Sequence, residues 1–130
     1  MSDLILLVDD DINTLEALAY ILQRVGYAVI KATSGREALA KAQADRPGLV
    51  ILDIMMPGMS GIEVCQALRA SPETRYLPVL VLSALGDIRS TTEALMAGAN
   101  NYLIKPVKPV DLVEQVRNLF YDARPLKGGQ

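Results

Sequence analysis

Histidine is missing from this chain altogether. Without imidazole there is no Ser/His or Cys/His nucleophile pair and no histidine-ligated metal. A single cysteine, Cys65, leaves no intramolecular disulfide to form and suits a reducing compartment. Tryptophan is absent, phenylalanine occurs once, and 13 Lys+Arg against 15 Asp+Glu leave a net charge of −2. A domain so short of basic excess and of stacking aromatics is not expected to bind nucleic acid directly. No apolar run approaches the ~18–20 residues that cross a bilayer. Met1-Ser2-Asp3 lacks the basic region of a secretory signal. The expectation is a soluble cytoplasmic domain with no membrane association.

What is present suits one globular domain. At 130 residues, 51% hydrophobic and 22% charged, the chain is long enough for a real core and too apolar to be disordered throughout. Two hydrophobic periods alternate along it. Leu4–Val8 is a short continuous apolar run, the mark of a strand buried on both faces. After Asp9-Asp10-Asp11, the stripe Leu15, Leu18, Ala19, Leu22 and Val25 predicts a helix that stops at Gly26. Tyr27–Ala32 reads as a second strand, and Ser34 to Glu37 has the spacing of a capping box opening a helix that Arg46-Pro47-Gly48 ends.

The alternation then repeats. Leu49–Leu52 is a strand ending in Asp53, followed by a loop over Ile54–Ser60 and a helix carrying Ile62, Val64, Cys65 and Leu68. Val79–Leu82 is a strand ending in Ser83, with a helix to about Ala97. Tyr102–Ile104 is a last strand ending in Lys105, and a final helix from about Pro109 carries Leu112, Val113, Val116, Leu119 and Phe120. Five strands, each followed by a helix and none by a hairpin turn, predict an α/β fold: a doubly wound five-stranded parallel sheet with helices on both faces, order 2-1-3-4-5. The domain is expected over residues 1–123, with 124–130 a linker or disordered C-terminal tail.

The residues that end the strands carry the chemistry. Parallel strands put all their C-terminal ends at one edge, where open α/β sheets bind ligands. Asp9-Asp10, Asp53, Ser83 and Lys105 therefore collect there, with Thr33 beside them. Crowded carboxylates repel one another unless a cation lies among them. An all-oxygen acidic site without His or Cys suits a hard ion such as Mg²⁺. A carboxylate beside such an ion and an ammonium is a plausible nucleophile toward phosphorus. Plainer readings exist for each group. The acidic stretch caps a helix, most simply through Asp11; Tyr102 packs with its hydroxyl outward; Cys65 is an inert buried thiol.

Four stretches taken together give a resemblance. Leu7-Val8-Asp9-Asp10-Asp11, Leu52-Asp53 through Gly61, Leu82-Ser83-Ala84, and Tyr102-Leu103-Ile104-Lys105-Pro106 resemble the motifs of the receiver domain of two-component response regulators, over Leu4 to about Phe120. The resemblance implies a flavodoxin-like fold and a phospho-acceptor signalling domain rather than an enzyme. By position it implies Asp53 as phospho-acceptor, Mg²⁺ held by Asp9, Asp10, Asp53 and the backbone carbonyl of Met55, and Lys105 paired with the phosphoryl group. Ser83 and Tyr102 become the switch pair, and the Lys105–Pro106 bond is implied to be cis. The implied partners are a histidine kinase or a histidine phosphotransfer protein, with self-association into a homodimer left open. Met55 and Leu85 flank the approach to Asp53 as apolar side chains in exposed loops, which implies slow loss of the phosphoryl group. An aspartyl-nucleophile phosphatase is the enzyme alternative, disfavoured because Met55 stands where that class has a second acid. A nucleotide-binding module would set a glycine-rich cradle, not three acids, after strand 1. A receiver serving only as an interaction domain would be expected to have lost reactive residues that are all present here.

Overall fold

The computed structural model describes residues 3–122. The tail expected at 124–130 lies outside them, as do residues 1, 2 and 123 of the domain expected over 1–123. Ten elements alternate: β1 (Leu4–Val8), α1 (Ile12–Arg24), β2 (Ala28–Ala32), α2 (Gly35–Asp45), β3 (Leu49–Leu52), α3 (Gly61–Ala70), β4 (Val79–Ser83), α4 (Ile88–Met96), β5 (Asn101–Ile104) and α5 (Pro109–Asp122). All strand pairs are parallel, and the sheet order is β2-β1-β3-β4-β5.

The apolar strand runs are continuous because helices cover both faces of the sheet. Successive side chains of a strand point to opposite faces. Ile5 and Leu7 of β1 thus pack with Leu15, Leu18 and Leu22 of α1 and Leu112, Val116 and Leu119 of α5. Leu6 and Val8 pack on the opposite face with Ala38 and Ala42 of α2, Val64, Cys65 and Leu68 of α3, and Ala94 of α4. Burying a large aliphatic side chain is worth on the order of 1.5–3 kcal/mol, and the central strands β1, β3 and β4 supply most of these residues. The edge strands β2 and β5 are only partly covered.

Several local expectations are corrected. Val25 is half exposed because α1 ends at Arg24 and Val25 is its C-cap, so the helical stripe stops at Leu22. Tyr27 precedes β2 and stacks on Phe120 of α5, with ring centroids 5.3 Å apart. The capping box at Ser34 is incomplete: Ser34 accepts from the Glu37 amide, but the Glu37 carboxylate turns to the Thr33 amide at 2.7 Å. The reciprocal box forms at α3 instead, between Ser60 and Glu63. The sheet register decides what this frame presents. Val8 pairs with both Ala32 and Leu52, Leu52 with Val81, and Ser83 with Ile104, so β1, β2 and β3 end level and β4 and β5 run two residues further at the same edge.

Candidate functional site

Three of the side chains at that edge are set by a backbone bond across the sheet. The Asp9 amide donates to the Ala32 carbonyl, the Asp53 amide to Val8 and the Lys105 amide to Ser83, which carries the ladder one step past each strand. Asp9, Asp10 and Asp53 each bring a carboxylate oxygen to within 4.8 Å of the others. Asp9 and Asp53 are buried, whereas Asp10 is exposed at the mouth. Lys105 reaches back from the end of β5, its Nζ 2.6 Å from Asp9 Oδ2 and 3.1 Å from Asp53 Oδ2. The Lys105–Pro106 bond is cis.

The charges are placed unevenly. Three carboxylates face one ammonium, so the cluster still favours a further cation. Burial alone would lower the Lys105 pKa, but its hydrogen bonds to Asp9 and Asp53 outweigh that cost and hold it above the ordinary value. The other oxygens are oriented by backbone donors. Asp9 Oδ1 accepts from the Asp11 amide at 2.9 Å, and Asp53 Oδ1 from the Met55 amide at 3.1 Å. Asp11 is turned away from the cluster. It is the N-cap of α1, accepting from the Asn13 amide and the Thr14 hydroxyl, and these bonds, the hydroxyl foremost, hold its carboxyl below the usual range.

Ser83 is fully buried, and its Oγ accepts from the Leu85 amide at 3.3 Å. The Tyr102 hydroxyl donates to the Leu85 carbonyl, so the ring is half-buried and its hydroxyl engaged. Burial is the main reason that this phenol titrates above its ordinary value. One loop residue, Leu85, thus meets Ser83 through its amide and Tyr102 through its carbonyl. The Met55 side chain is exposed, as expected, but Leu85 is half-buried. Thr33 lies at the edge without joining the cluster; its hydroxyl and amide both face Glu37.

Two contributors were not legible as site residues. A Cβ on Gly61 would lie 2.2 Å from the Asp53 carbonyl oxygen and 2.7 Å from Ile54 Cα, so only glycine lets the first turn of α3 rest against the backbone of Asp53. The Leu85 backbone holds the Ser83 and Tyr102 side chains through groups that every residue has. The spacing Ser60 to Glu63 was the available signal for the first; nothing in the sequence signals the second.

The donor set is all oxygen, is negatively charged and includes one exposed carboxylate, which fits a hard divalent cation that keeps several of its waters. Chemically, the arrangement offers a buried carboxylate at the floor of an acidic cleft with an ammonium 3.1 Å away. Among the described residues no helix is long and apolar enough to cross a membrane.

Comparison with known proteins shows the family. The family model described as "Response regulator receiver domain" matches residues 5–117. The response regulator MprA of Mycolicibacterium vanbaalenii is 42% identical over 124 residues, 95% of this chain and 53% of that protein. The alkaline phosphatase synthesis transcriptional regulatory protein PhoP of Bacillus subtilis is 39% identical over 120 residues, 92% of this chain and 49% of that protein. The chain spans about half the length of these curated relatives. Among solved structures, the chemotaxis protein CheY4 of Vibrio cholerae superposes with a TM-score of 0.86 at 34% identity, covering 92% of this chain and 99% of that one. The receiver domain of a signal transduction histidine kinase from Syntrophus aciditrophicus gives 0.87 at 34% identity, covering 96% and 95%.

Proposed function

Since the chain belongs to the family of response regulator receiver domains, we propose that it accepts a phosphoryl group on Asp53 from a phosphohistidine of a sensor kinase or phosphotransfer protein. A carboxylate oxygen of Asp53 attacks phosphorus, the bond from phosphorus to the imidazole nitrogen breaks, and the electron pair leaves with the imidazole. The donor must bring the histidine, because this chain has none. The observation that carries the reading is the buried Asp53 with Lys105 Nζ at 3.1 Å inside a cluster of three carboxylates. Lys105 neutralises the oxygens of the incoming group, and the Met55 amide orients the carboxylate. Asp9, Asp10, Asp53 and the Met55 carbonyl are the residues that would hold Mg²⁺. When bound, the ion supplies positive charge to the non-bridging oxygens during transfer.

With a new anionic group on Asp53, the Ser83 hydroxyl has reason to leave the Leu85 amide and donate to it. Tyr102 follows, because its hydroxyl is bonded to the carbonyl of the same residue, Leu85. This reading assigns Ser83 and Tyr102 to the switch, a histidine kinase or phosphotransfer protein as partner, and the cytoplasm as the setting. Incubation with acetyl phosphate and Mg²⁺ is expected to add one phosphoryl mass to the wild type and none to Asp53→Asn. Equal labelling of the two, or labelling unaffected by chelator, rejects the assignment. Followed over time, the label is expected to persist in the wild type and to decay faster in a Met55→Asn/Leu85→Glu variant, since neither native side chain can hold an attacking water. Identical decay removes that part of the reading.

A further inference from the structure

Arg69, near the C-terminal end of α3, spends its whole guanidinium on two loops. Nε and Nη2 donate to the Gly98 carbonyl at 3.1 and 2.7 Å, and Nη2 also to Asn100 Oδ1 at 3.0 Å. Nη1 donates to the carbonyls of Arg75 and Leu77 at 3.1 and 2.7 Å. A guanidinium has five N–H donors and no acceptor, so all five are engaged. Every acceptor is neutral, and among the described residues no ion pair includes Arg69. The cation works here as a planar fork joining the loop after α3 to the loop after α4, a task that a single ammonium cannot perform.

The fit is close at Gly98. This residue has φ +112°, and a Cβ on it would lie 2.7 Å from Arg69 Cγ and 2.8 Å from Nε. The stem of Arg69 therefore lies on bare backbone one residue past the Ala97 cap of α4. Asn100 extends the joint into the sheet, because its Oδ1 also accepts from the Val79 amide at the start of β4, at 2.8 Å.

The rest of α4 is thinly held. Ala94 is its one buried residue, and Ile88 at its first turn is 85% exposed. Its N-terminal end follows the segment that carries Leu85, whose amide and carbonyl are held by the side chains of Ser83 and Tyr102 respectively. One end of the helix is bonded into two loops and a strand; the other hangs on the groups that face the acceptor.

We propose that Arg69 is a positioning residue that anchors the C-terminal end of α4, so that a rearrangement beginning at Ser83 swings the helix about Gly98 instead of displacing it whole. The swing rests on the receiver reading given above; the anchor rests on the geometry alone.

Hydrogen exchange on the full chain separates the two. Wild type, Arg69→Met and Arg69→Lys are compared without additions and with Mg²⁺ plus beryllofluoride, a stable stand-in for the phosphoryl group. Without additions, Arg69→Met keeps the stem but loses the fork, and amides 94–99 are expected to exchange about tenfold faster or more, with β1 and β3 unchanged. Arg69→Lys is expected to fall between, and it carries the test should the methionine variant not fold. With beryllofluoride, the wild-type response is expected at 84–91 and not at 94–99, whereas in the variants it spreads through 94–99. A residue that merely stabilised the fold would raise exchange without moving the boundary of the response. Exchange at 94–99 within about twofold of wild type in the unsupplemented arm overturns the anchor. A wild-type response equal at both ends overturns the swing. No wild-type response anywhere, with the unsupplemented arm as expected, overturns the receiver reading and the swing while upholding the anchor.

Discussion

Lys105 lies between Asp9 and Asp53, and a carboxylate left without such a partner in a buried site would meet both desolvation and its neighbours' repulsion. The acidic run before α1 divides its work by direction. Asp9 and Asp10 face the cluster, whereas Asp11 is committed to the helix end through Asn13 and Thr14. Asp10→Asn is therefore expected to weaken Mg²⁺ binding far more than Asp11→Asn in a metal titration; the reverse order would mean that the cleft takes its ligands from a different register. The clearest residue-scale contrast is Cys65, buried on the inner side of α3 at 1% exposure, where burial pushes the thiol above its ordinary pKa. The nucleophile toward disulfide reagents is the thiolate. Labelling with such a reagent at pH 8 is expected to be about a thousandfold slower or more in the folded chain than in urea. Its pH dependence has a definite sign. Stability from the protonated, buried thiol is fully present below about 8.5, the value of an unperturbed thiol, and is lost as pH rises from there through the raised folded value. Rapid native-state labelling would show that α3 opens readily.

At the scale of single elements, α3 matters most to the site, because its first turn touches Asp53. The box between Ser60 and Glu63 satisfies two N-terminal amides reciprocally, and Gly61, the next residue, lies against the Asp53 carbonyl. Ser60→Ala is expected to cost about 1 kcal/mol in urea denaturation, within a range of about 0.5–2. The same variant is expected to slow labelling of Asp53, because the helix end that frays is the one resting on that residue. Lost stability with an unchanged labelling rate would uncouple the cap from the site. Helix and strand types were legible here because each element has a clear period, and Pro109 marks the start of α5 as a first-turn proline should. The choice between the two capping spacings was not legible. Ser34 and Ser60 each have a Glu three residues on, and only the Thr33 amide, brought near Glu37 by the chain entering α2, diverts one of them.

Across the whole molecule, two cores back the sheet: one under α1 and α5, the other under α2, α3 and α4. Among the described residues both are filled between Ile5 and Phe120, and with the domain expected to end at 123, removing 124–130 is expected to leave the melting temperature within about 2 °C of the intact chain. A larger drop would mean that the domain extends past residue 123. The sequence by itself determined the alternation of strand and helix, the parallel sheet and the set Asp9, Asp10, Asp53, Ser83 and Lys105 at one edge, because a side-chain period and a strand's last residue are local properties. It also determined, through the missing histidine, that any phosphohistidine must come from outside these 130 residues. That Asp11 is the aspartate turned to the helix end was legible too; tertiary structure alone decided that the Leu85 backbone lies between Ser83 and Tyr102, and that Arg69 reaches Gly98 from 29 residues back along the chain. These contacts depend on backbone carbonyls and amides, which every residue carries alike, so only the packing of distant elements gives them partners.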